Sequence, residues 1–343
     1  MSEHADDFIE ISDPERLVAS PKVSILMLTY NHEDYLPDAI DGVIAQCCDF
    51  GFELIIGEDA SSDKTLSIAL AYQARFPEKV RVIRSKFNVG MNANGKRIFS
   101  LARGDYVSFC EGDDFWCASD KLARQVELIE KDERVGIVHS DWTKAKMSNG
   151  HWVHNMRKSV HRRVASKRLE GDLFPTWHFP KILRTCTVLL RRETVRDFEN
   201  STLSKAQYRF GDSVLNAYVT SRYRVAYLPK VAAVYRVSPN SALRSGVRAR
   251  VAFYRSALQF DTDARAFFSG ERDYRPDYRW ESAASLLVWG LRACDLGAVK
   301  DAIFDFAENF TFLGFLRVGL RTCAMRIPTL RRQAREVPGT VRT

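Results

Sequence analysis

The sequence predicts an α/β protein built on a mostly parallel central sheet and extended at its carboxyl end by helices. Three observations carry that expectation. Between Pro21 and His139, short β-rich apolar runs alternate with stretches of helical periodicity. Polar residues gather where the apolar runs stop. From Gly246 onward the pattern turns helical. Strand–helix alternation of this kind builds a parallel sheet covered on both faces, which binds its ligands at the carboxyl ends of the strands.

Each element follows from a local pattern. The apolar run Val23 to Leu28 reads as a buried strand, and Leu36, Ala39, Ile40, Val43, Ile44 and Cys47 then line one face of a helix. Phe52 to Ile56 is a second strand, followed by a helix that Ser61, Ser62 and Asp63 can cap. Val80 to Arg84 is a third strand and Asn92 to Ala102 a helix. Asp105 to Cys110 is a fourth strand, and Lys121 to Lys131 a helix with Leu122, Val126 and Ile129 inward. Residues 142–241 are less regular, with strands expected at Thr187 to Leu190 and Val225 to Val237. Ser282 to Leu291 and Ile303 to Cys323 are the strongest helical segments beyond them. The expected organisation is a tail over 1–20, an α/β domain over 21–243 (halves 21–141 and 142–243) and a basic helical region over 244–343.

Composition narrows the class. A chain of 343 residues can bury a substantial core, and 45% apolar with 27% charged residues is ordinary for a soluble globular protein. A net charge of +8 fits an anionic ligand or a membrane surface. The basic residues do not interleave with aromatics on a recognisable module, so nucleic acid is not expected as a partner. Seven scattered cysteines without a C-x-x-C pair read as reduced, mostly buried thiols of a cytoplasmic protein. The acidic start gives no expectation of a secretory signal, and no run reaches the roughly 20 apolar residues of a membrane span.

Four polar clusters could carry chemistry. The first strand runs into Thr29-Tyr30-Asn31-His32-Glu33, where a tyrosine and polar groups could stack on and bond a nucleobase, or form a turn and helix cap. The second ends at Glu58-Asp59, whose aspartate could accept from the N3–H of uracil or thymine. The fourth delivers Glu111-Gly112-Asp113-Asp114, three carboxylates within four residues. Such carboxylates repel unless a positive charge sits among them, and hard oxygens suit Mg²⁺ or Mn²⁺ completed by phosphate oxygens. The fourth cluster, Phe210-Gly211-Asp212, reads on its own more often as a helix cap than as a base.

Together these clusters resemble the family-2 glycosyltransferases of the GT-A fold, over roughly Pro21 to Ser241. The likeness is densest at 23–31, at 58–65, and from Asn88-Val89-Gly90 through Ala102–Asp105 to Glu111–Trp116, with Lys121–Gln125 after it. The resemblance implies a donor-binding set of Thr29, Tyr30, Asn31, Glu33, Asp59, Asn88, Gly90 and Asp113. It implies Asp113 and Asp114 for the metal, with Asp114 the preferred direct ligand, and Asp212 as general base. Residues 185–188 and the Tyr235-Arg236 pair fall where the family builds its acceptor side. The chain departs from the pattern in carrying Glu111 where many relatives have Asp, Asn94 where a basic residue is frequent, and Ser238 where a histidine often stands. It lacks the Gln-x-x-Arg-Trp motif of the polymerising members, which favours transfer of single sugars.

The implied activity is inverting, metal-dependent transfer from a nucleotide sugar, with UDP- or dTDP-sugars favoured, to a glycan or lipid-linked glycan acceptor in surface polysaccharide synthesis. A nucleotidyltransferase would carry a Gly-rich basic loop after the first strand, where Thr29-Tyr30-Asn31 stands instead. A non-catalytic nucleotide-sugar-binding protein is the second alternative. The apolar stretch Phe310 to Leu320 runs into Arg321, Arg326, Arg331, Arg332 and Arg335. It could lie on the anionic inner face of a membrane or pack as a core helix with a solvated tail.

Overall fold

The structure is a computed structural model that describes residues 7–148, 151–154, 159, 161–162, 164–176, 182–206, 208–237, 246–270 and 278–309. Two compact units divide the chain: residues 1–207 with 211–238, and residues 208–210 with 239–343.

The first unit is organised by a ten-stranded sheet. Its strands are β1 (Phe8–Ile11), β2 (Val23–Thr29), β3 (Phe52–Glu58), β4 (Val80–Ser85), β5 (Tyr106–Phe109), β6 (Phe115–Trp116), β7 (Val135–Ser148), β8 (His151–His154), β9 (Val188–Arg191) and β10 (Arg224–Arg236). They lie in the order β1-β4-β3-β2-β5-β9-β7-β10-β6, with β8 paired to β7. The pairs β4–β3, β3–β2 and β2–β5 are parallel, as is β7–β10. Strand β9 runs antiparallel to both β5 and β7, so β7 and β10 point the same way as β2 to β5.

Helices α1 (Leu36–Ile44), α2 (Thr65–Arg75), α3 (Met91–Ser100), α4 (Lys121–Glu130), α5 (Arg192–Asn200), α6 (Thr202–Lys205) and α7 (Gly211–Arg222) complete this unit. Alternation along the strands decides which face each helix covers. Val23, Ile25 and Met27 of β2 pack with Leu36, Ile40 and Val43 of α1 and Leu122, Val126 and Ile129 of α4. Leu26 of β2, Ile55 of β3 and Val107 of β5 face the other way, onto Ile98 of α3 and Val219 of α7. Central strands buried on both faces read as unbroken apolar runs, which is why they are legible.

Several elements differ from the sequence expectation. Residues 8–11, within the expected tail, add the edge strand β1 antiparallel to β4. Arg81 holds it there, with its Nε 2.8 Å from Glu10 while its NH1 donates to the buried Glu53 at 3.0 Å. Strand β7 was not among the expected strands; it runs from Val135 to Ser148 and pairs with β8. Helix α1 stops at Ile44, leaving Cys47 exposed outside it. Among the described residues six cysteines are free thiols, of which Cys110 and Cys186 alone are fully buried, fewer than expected.

The second unit contains α8 (Val247–Phe267), α9 (Tyr278–Ala293) and α10 (Leu296–Glu308). Val251 and Leu258 of α8, Ala283 and Leu286 of α9, and Ala298 and Ala302 of α10 form its core. Buried Asp261 is neutralised by Arg265 and Arg279, both at 2.7 Å. The expected helix from Ile303 is present as far as Glu308, and the rest of that stretch lies outside the described residues. No helix among the described residues is long and apolar enough to cross a membrane.

Candidate active site

Because β2, β3, β4 and β5 are parallel, the chain segments that leave their carboxyl ends share one edge of the sheet. Glu58–Asp63 and Thr29–Glu33 meet there in a reciprocal network. Asn31 Oδ1 accepts from Ser62 N at 2.9 Å, while Asn31 N donates to Ser61 Oγ at 3.0 Å. Glu33 Oε2 accepts from Lys64 N at 3.0 Å, and Glu33 N donates to Asp63 Oδ2 at 3.1 Å. Asp63 Oδ1 accepts from Thr65 N at 2.9 Å, the first-turn donor of α2, as its sequence position suggested. The side chains of Asn31 and Glu33 thus order the loops, while Tyr30 stands 45% exposed.

Asp59 is buried at the neighbouring corner. Its Oδ1 accepts from Val89 N and its Oδ2 from Gly90 N, both at 2.9 Å. Gly90 has φ 84°, a left-handed conformation that glycine adopts without strain, and it turns the chain after β4 so that both N–H groups face the carboxylate. Each oxygen keeps a second lone pair for another donor. Asn88 is exposed on the same turn.

The acidic turn follows β5. Gly112 N donates to Leu28 O at 2.9 Å, tying the turn to β2. A Cβ on Gly112 would stand 2.8 Å from His32 Nδ1 and 2.9 Å from Thr29 Oγ1, so glycine alone lets the turn close on those side chains. Both of those atoms are buried without a partner. Burial lowers the His32 imidazole, while the carboxylates of Asp113 and Asp63 act the other way.

The three carboxylates of this turn go to different places. Asp114 is buried and accepts from Arg236 N at 2.9 Å on Oδ1, with the Cys186 thiol as a further hydrogen-bond partner. Burial, then the charges of Asp113 and Glu111, hold its carboxyl well above the usual range. Glu111 is pushed up to about 7 by burial and then by Asp113, with Asp212 adding to the effect and the Thr185 side chain opposing it. Its Oε2 is buried and unpartnered. Asp113 is partly exposed. Behind the turn lies the buried Arg236 guanidinium, paired with Asp38 and set over the ring of Phe115 at 4.6 Å and those of Tyr35 and Trp152 at 5.7 Å.

Asp212, about a hundred residues later, reaches the same place. It lies in the first turn of α7, where its Oδ1 accepts from Ser213 N at 2.8 Å. Its Oδ2 faces Thr185 Oγ1 at 3.4 Å, and its charge is felt by Glu111. Of the residues singled out from the sequence, Asp113, Asp114, Thr29 and Asp212 therefore gather around one acidic turn. Asp59, Gly90 and Asn88 form the adjoining corner. Sequence reasoning missed Asp38 and Trp152, whose contacts with Arg236 leave no local signal.

Among the described residues no group of three or more His, Cys, Asp or Glu is arranged to hold a metal ion. The expected metal carboxylates, Asp113 and Asp114, are a pair: Asp114 is buried and accepts from Arg236 N of β10, while Asp113 is partly exposed. What remains is a partly exposed Asp113 and the orphaned Glu111 Oε2, with the Asp114 carboxylate beside them. That donor set does not make an all-protein cage. It fits a Mg²⁺ or Mn²⁺ ion that takes one or two carboxylates and completes its shell with phosphate oxygens.

A mostly parallel sheet with an acidic turn and a buried, doubly held aspartate at its carboxyl edge defines an α/β protein with a polar ligand site. The chain belongs to glycosyl transferase family 2, whose model matches residues 24–195, half of its length. An uncharacterized protein of Mycobacterium tuberculosis is 43% identical over 109 residues, 32% of either chain. The putative glycosyltransferase EpsE of Bacillus subtilis is 35% identical over 120 residues, 35% of this chain and 42% of EpsE. The putative teichuronic acid biosynthesis glycosyltransferase TuaG of the same species is 33% identical over 109 residues, 32% of this chain and 42% of TuaG. These matches span between a third and a half of the relatives' own lengths. Among solved structures, the mannosyltransferase PcManGT of Pyrobaculum calidifontis, in complex with GDP-Man and Mn²⁺, superimposes with a TM-score of 0.54 at 17% identity, covering 94% of this chain and 84% of that one. S. aureus TarS gives 0.51 at 17% identity, over 80% and 44%. The fold is that of the GT-A glycosyltransferases.

Proposed function

We propose that the protein is an inverting, metal-dependent glycosyltransferase that moves one sugar from a nucleotide-diphosphate sugar to a hydroxyl of a glycan or lipid-linked glycan. The observation that carries this reading is the meeting of Asp212 with the Glu111–Asp114 turn through Thr185, beside the Asp59 corner. The relatives' names, one of them in teichuronic acid biosynthesis, support a role in surface polysaccharide synthesis. Asp59 would accept from the N3–H of a uracil or thymine, and Tyr30 would stack on the base. Asp113 and Asp114 would hold Mg²⁺ or Mn²⁺, which when bound offsets the charge that builds on the leaving diphosphate. Asp212 would take the proton of the acceptor hydroxyl as that oxygen attacks the anomeric carbon from the face opposite the diphosphate. Inversion follows from that single displacement.

The reading also carries the expected organisation, a catalytic domain over 21–243 followed by the basic region 244–343. It carries a cytoplasmic location, with residues 310–343 on the anionic inner face of the membrane. The test is a panel of UDP-, dTDP- and GDP-sugars offered to purified protein with Mn²⁺ or Mg²⁺ and an acceptor extract, read as nucleoside diphosphate release. Release from a uridine or thymidine donor, lost on adding EDTA, is expected. Heat protection by the donor without release would favour the non-catalytic binding alternative, and release that survives EDTA would remove the metal.

A further inference from the structure

We infer that Thr185 is a positioning residue, which sets the orientation of Asp212 against the acidic turn through its hydroxyl. The inference rests on the reading of Asp212 as the base. Thr185 opens a short 3₁₀ turn, Thr185–Thr187, that leads into β9. Its Oγ1 donates toward Asp212 Oδ2 at 3.4 Å, and the same side chain lies near enough to Glu111 to act on that carboxyl. A hydroxyl has a single proton to give, and the hydrogen bond it makes here goes to Asp212. The 3.4 Å separation is long for such a bond, as catalytic contacts often are before ligands close the site.

The turn that carries Thr185 is held more firmly than a loop requires. Five successive carbonyls are each bound. Thr187 Oγ1 donates to Arg184 O at 2.7 Å, and Val188 N donates to Thr185 O. Trp116 Nε1 donates to Cys186 O at 2.8 Å, Gln125 Nε2 to Thr187 O at 2.8 Å, and Ser108 Oγ to Val188 O at 2.7 Å. The three long-range donors are themselves organised by one buried group. Lys121 Nζ donates to Gln125 Oε1 at 2.8 Å and to Ser108 Oγ at 3.2 Å, and lies 3.8 Å from the centre of the Trp116 ring. The Cys186 thiol meets Asp114 on the same turn. A backbone clamped at every carbonyl leaves Thr185 little freedom, which is what a fixed reference for Asp212 needs.

The experiment compares Thr185→Val, which removes the hydroxyl and keeps the shape, with Thr185→Ser, which keeps the hydroxyl. Asp212→Asn and the Thr185→Val/Asp212→Asn double variant complete a cycle. Turnover is followed with the donors of the panel, and UDP binding with Mn²⁺ serves as the probe of the donor side. Displacing a base by a fraction of an ångström to an ångström lowers turnover by about 10- to 100-fold. Thr185→Val should show that loss in kcat with UDP affinity within about twofold of wild type, Thr185→Ser should restore it, and Thr185→Val should add nothing to Asp212→Asn. A thermal-denaturation cycle needs no substrate and reads the contact itself, as non-additive shifts in Tm. Normal turnover in Thr185→Val, or strictly additive effects in either cycle, would overturn the proposal. Wild-type turnover in Asp212→Asn would instead remove the base reading, while non-additive Tm shifts would still leave the contact standing.

Discussion

Lys121 offers a test of the clamp through stability alone. Its side chain is fully buried, and burial holds the ammonium down at about 7, from an ordinary value of 10.5. The unfolded chain therefore binds a proton on this lysine between those two values, while the folded protein does not. Stability must then rise with pH across that window, because the unfolded state binds more protons there. Below about 7 both states carry the charge and the full cost of burying it is present; above 10.5 neither does. The difference of about 3.5 units is worth on the order of 5 kcal/mol at about 1.36 kcal/mol per unit. The Cys110 and Cys186 thiols, both pushed well above their ordinary 9.0 by burial, work in the opposite sense once an exposed thiol would ionise. The measurement is therefore a difference: urea unfolding of wild type and Lys121→Met from about pH 6 to about pH 10. Lost hydrogen bonds to Gln125 and Ser108 offset the variant by a constant amount. The difference in stability should climb in favour of wild type by several kcal/mol over this range. A flat difference would show that Lys121 keeps its charge inside the fold, and the burial argument would fall.

Two further outcomes are expected. If Asp59 reads an N3–H, uridine diphosphate should protect the protein against heat better than guanosine diphosphate, and Asp59→Ala should erase that preference. The variant should also lose about 1–3 kcal/mol of stability, because Val89 and Gly90 lose the acceptor of their N–H groups; equal protection of the wild type by both nucleotides would end the base-reading role. If residues 310–343 bind membrane, the protein should float with anionic vesicles and detach in part as salt rises, at about 1 kcal/mol per arginine near the surface. Leu296, Ile303 and Phe304 expose apolar surface on the helix that precedes them, so deletion of 310–343 should weaken flotation, and Leu296→Glu should weaken it further; no flotation of the intact chain would exclude that location.

How much of this was legible depends on where the information sits. Strands β2 and β3 were readable because burial on both faces leaves largely apolar runs, and polar clusters stand where β2, β3 and β5 end. Strand β7 was not readable, because Asp141, Thr143, Lys144 and Lys146 interrupt the apolar pattern, and its pairing with β8 and β10 supplies what its own sequence lacks. Strand β1 is four residues long and owes its place to an ion pair between Glu10 and Arg81, which no local pattern announces. In the site, Asp59 and the acidic turn could be picked out by type and spacing. The inward course of Asp114 could not, since its partner Arg236 N lies 122 residues away. For Thr185 the sequence offered only a place on the expected acceptor side, and its contact with Asp212, 27 residues away, had no local signal.

The acidic turn also shows how the protein handles charge that it cannot leave unbalanced. Glu111, Asp113 and Asp114 would repel one another if all three ionised side by side. Asp114 is withdrawn from that conflict onto the Arg236 N–H and the Cys186 thiol, and burial together with Asp113 disfavours its charge. Glu111 is raised by the same causes. The Arg236 guanidinium stands behind the turn as a fixed positive charge, already shared with Asp38 and with Asp113 O at 3.4 Å. The turn therefore has a fixed positive charge beside it within the fold. Asp113 stays partly exposed, and one buried Glu111 oxygen is left without a partner. A divalent ion held there by so few carboxylates, as proposed, would gain most of its shell from the phosphate that arrives with it, which would couple the metal to the nucleotide.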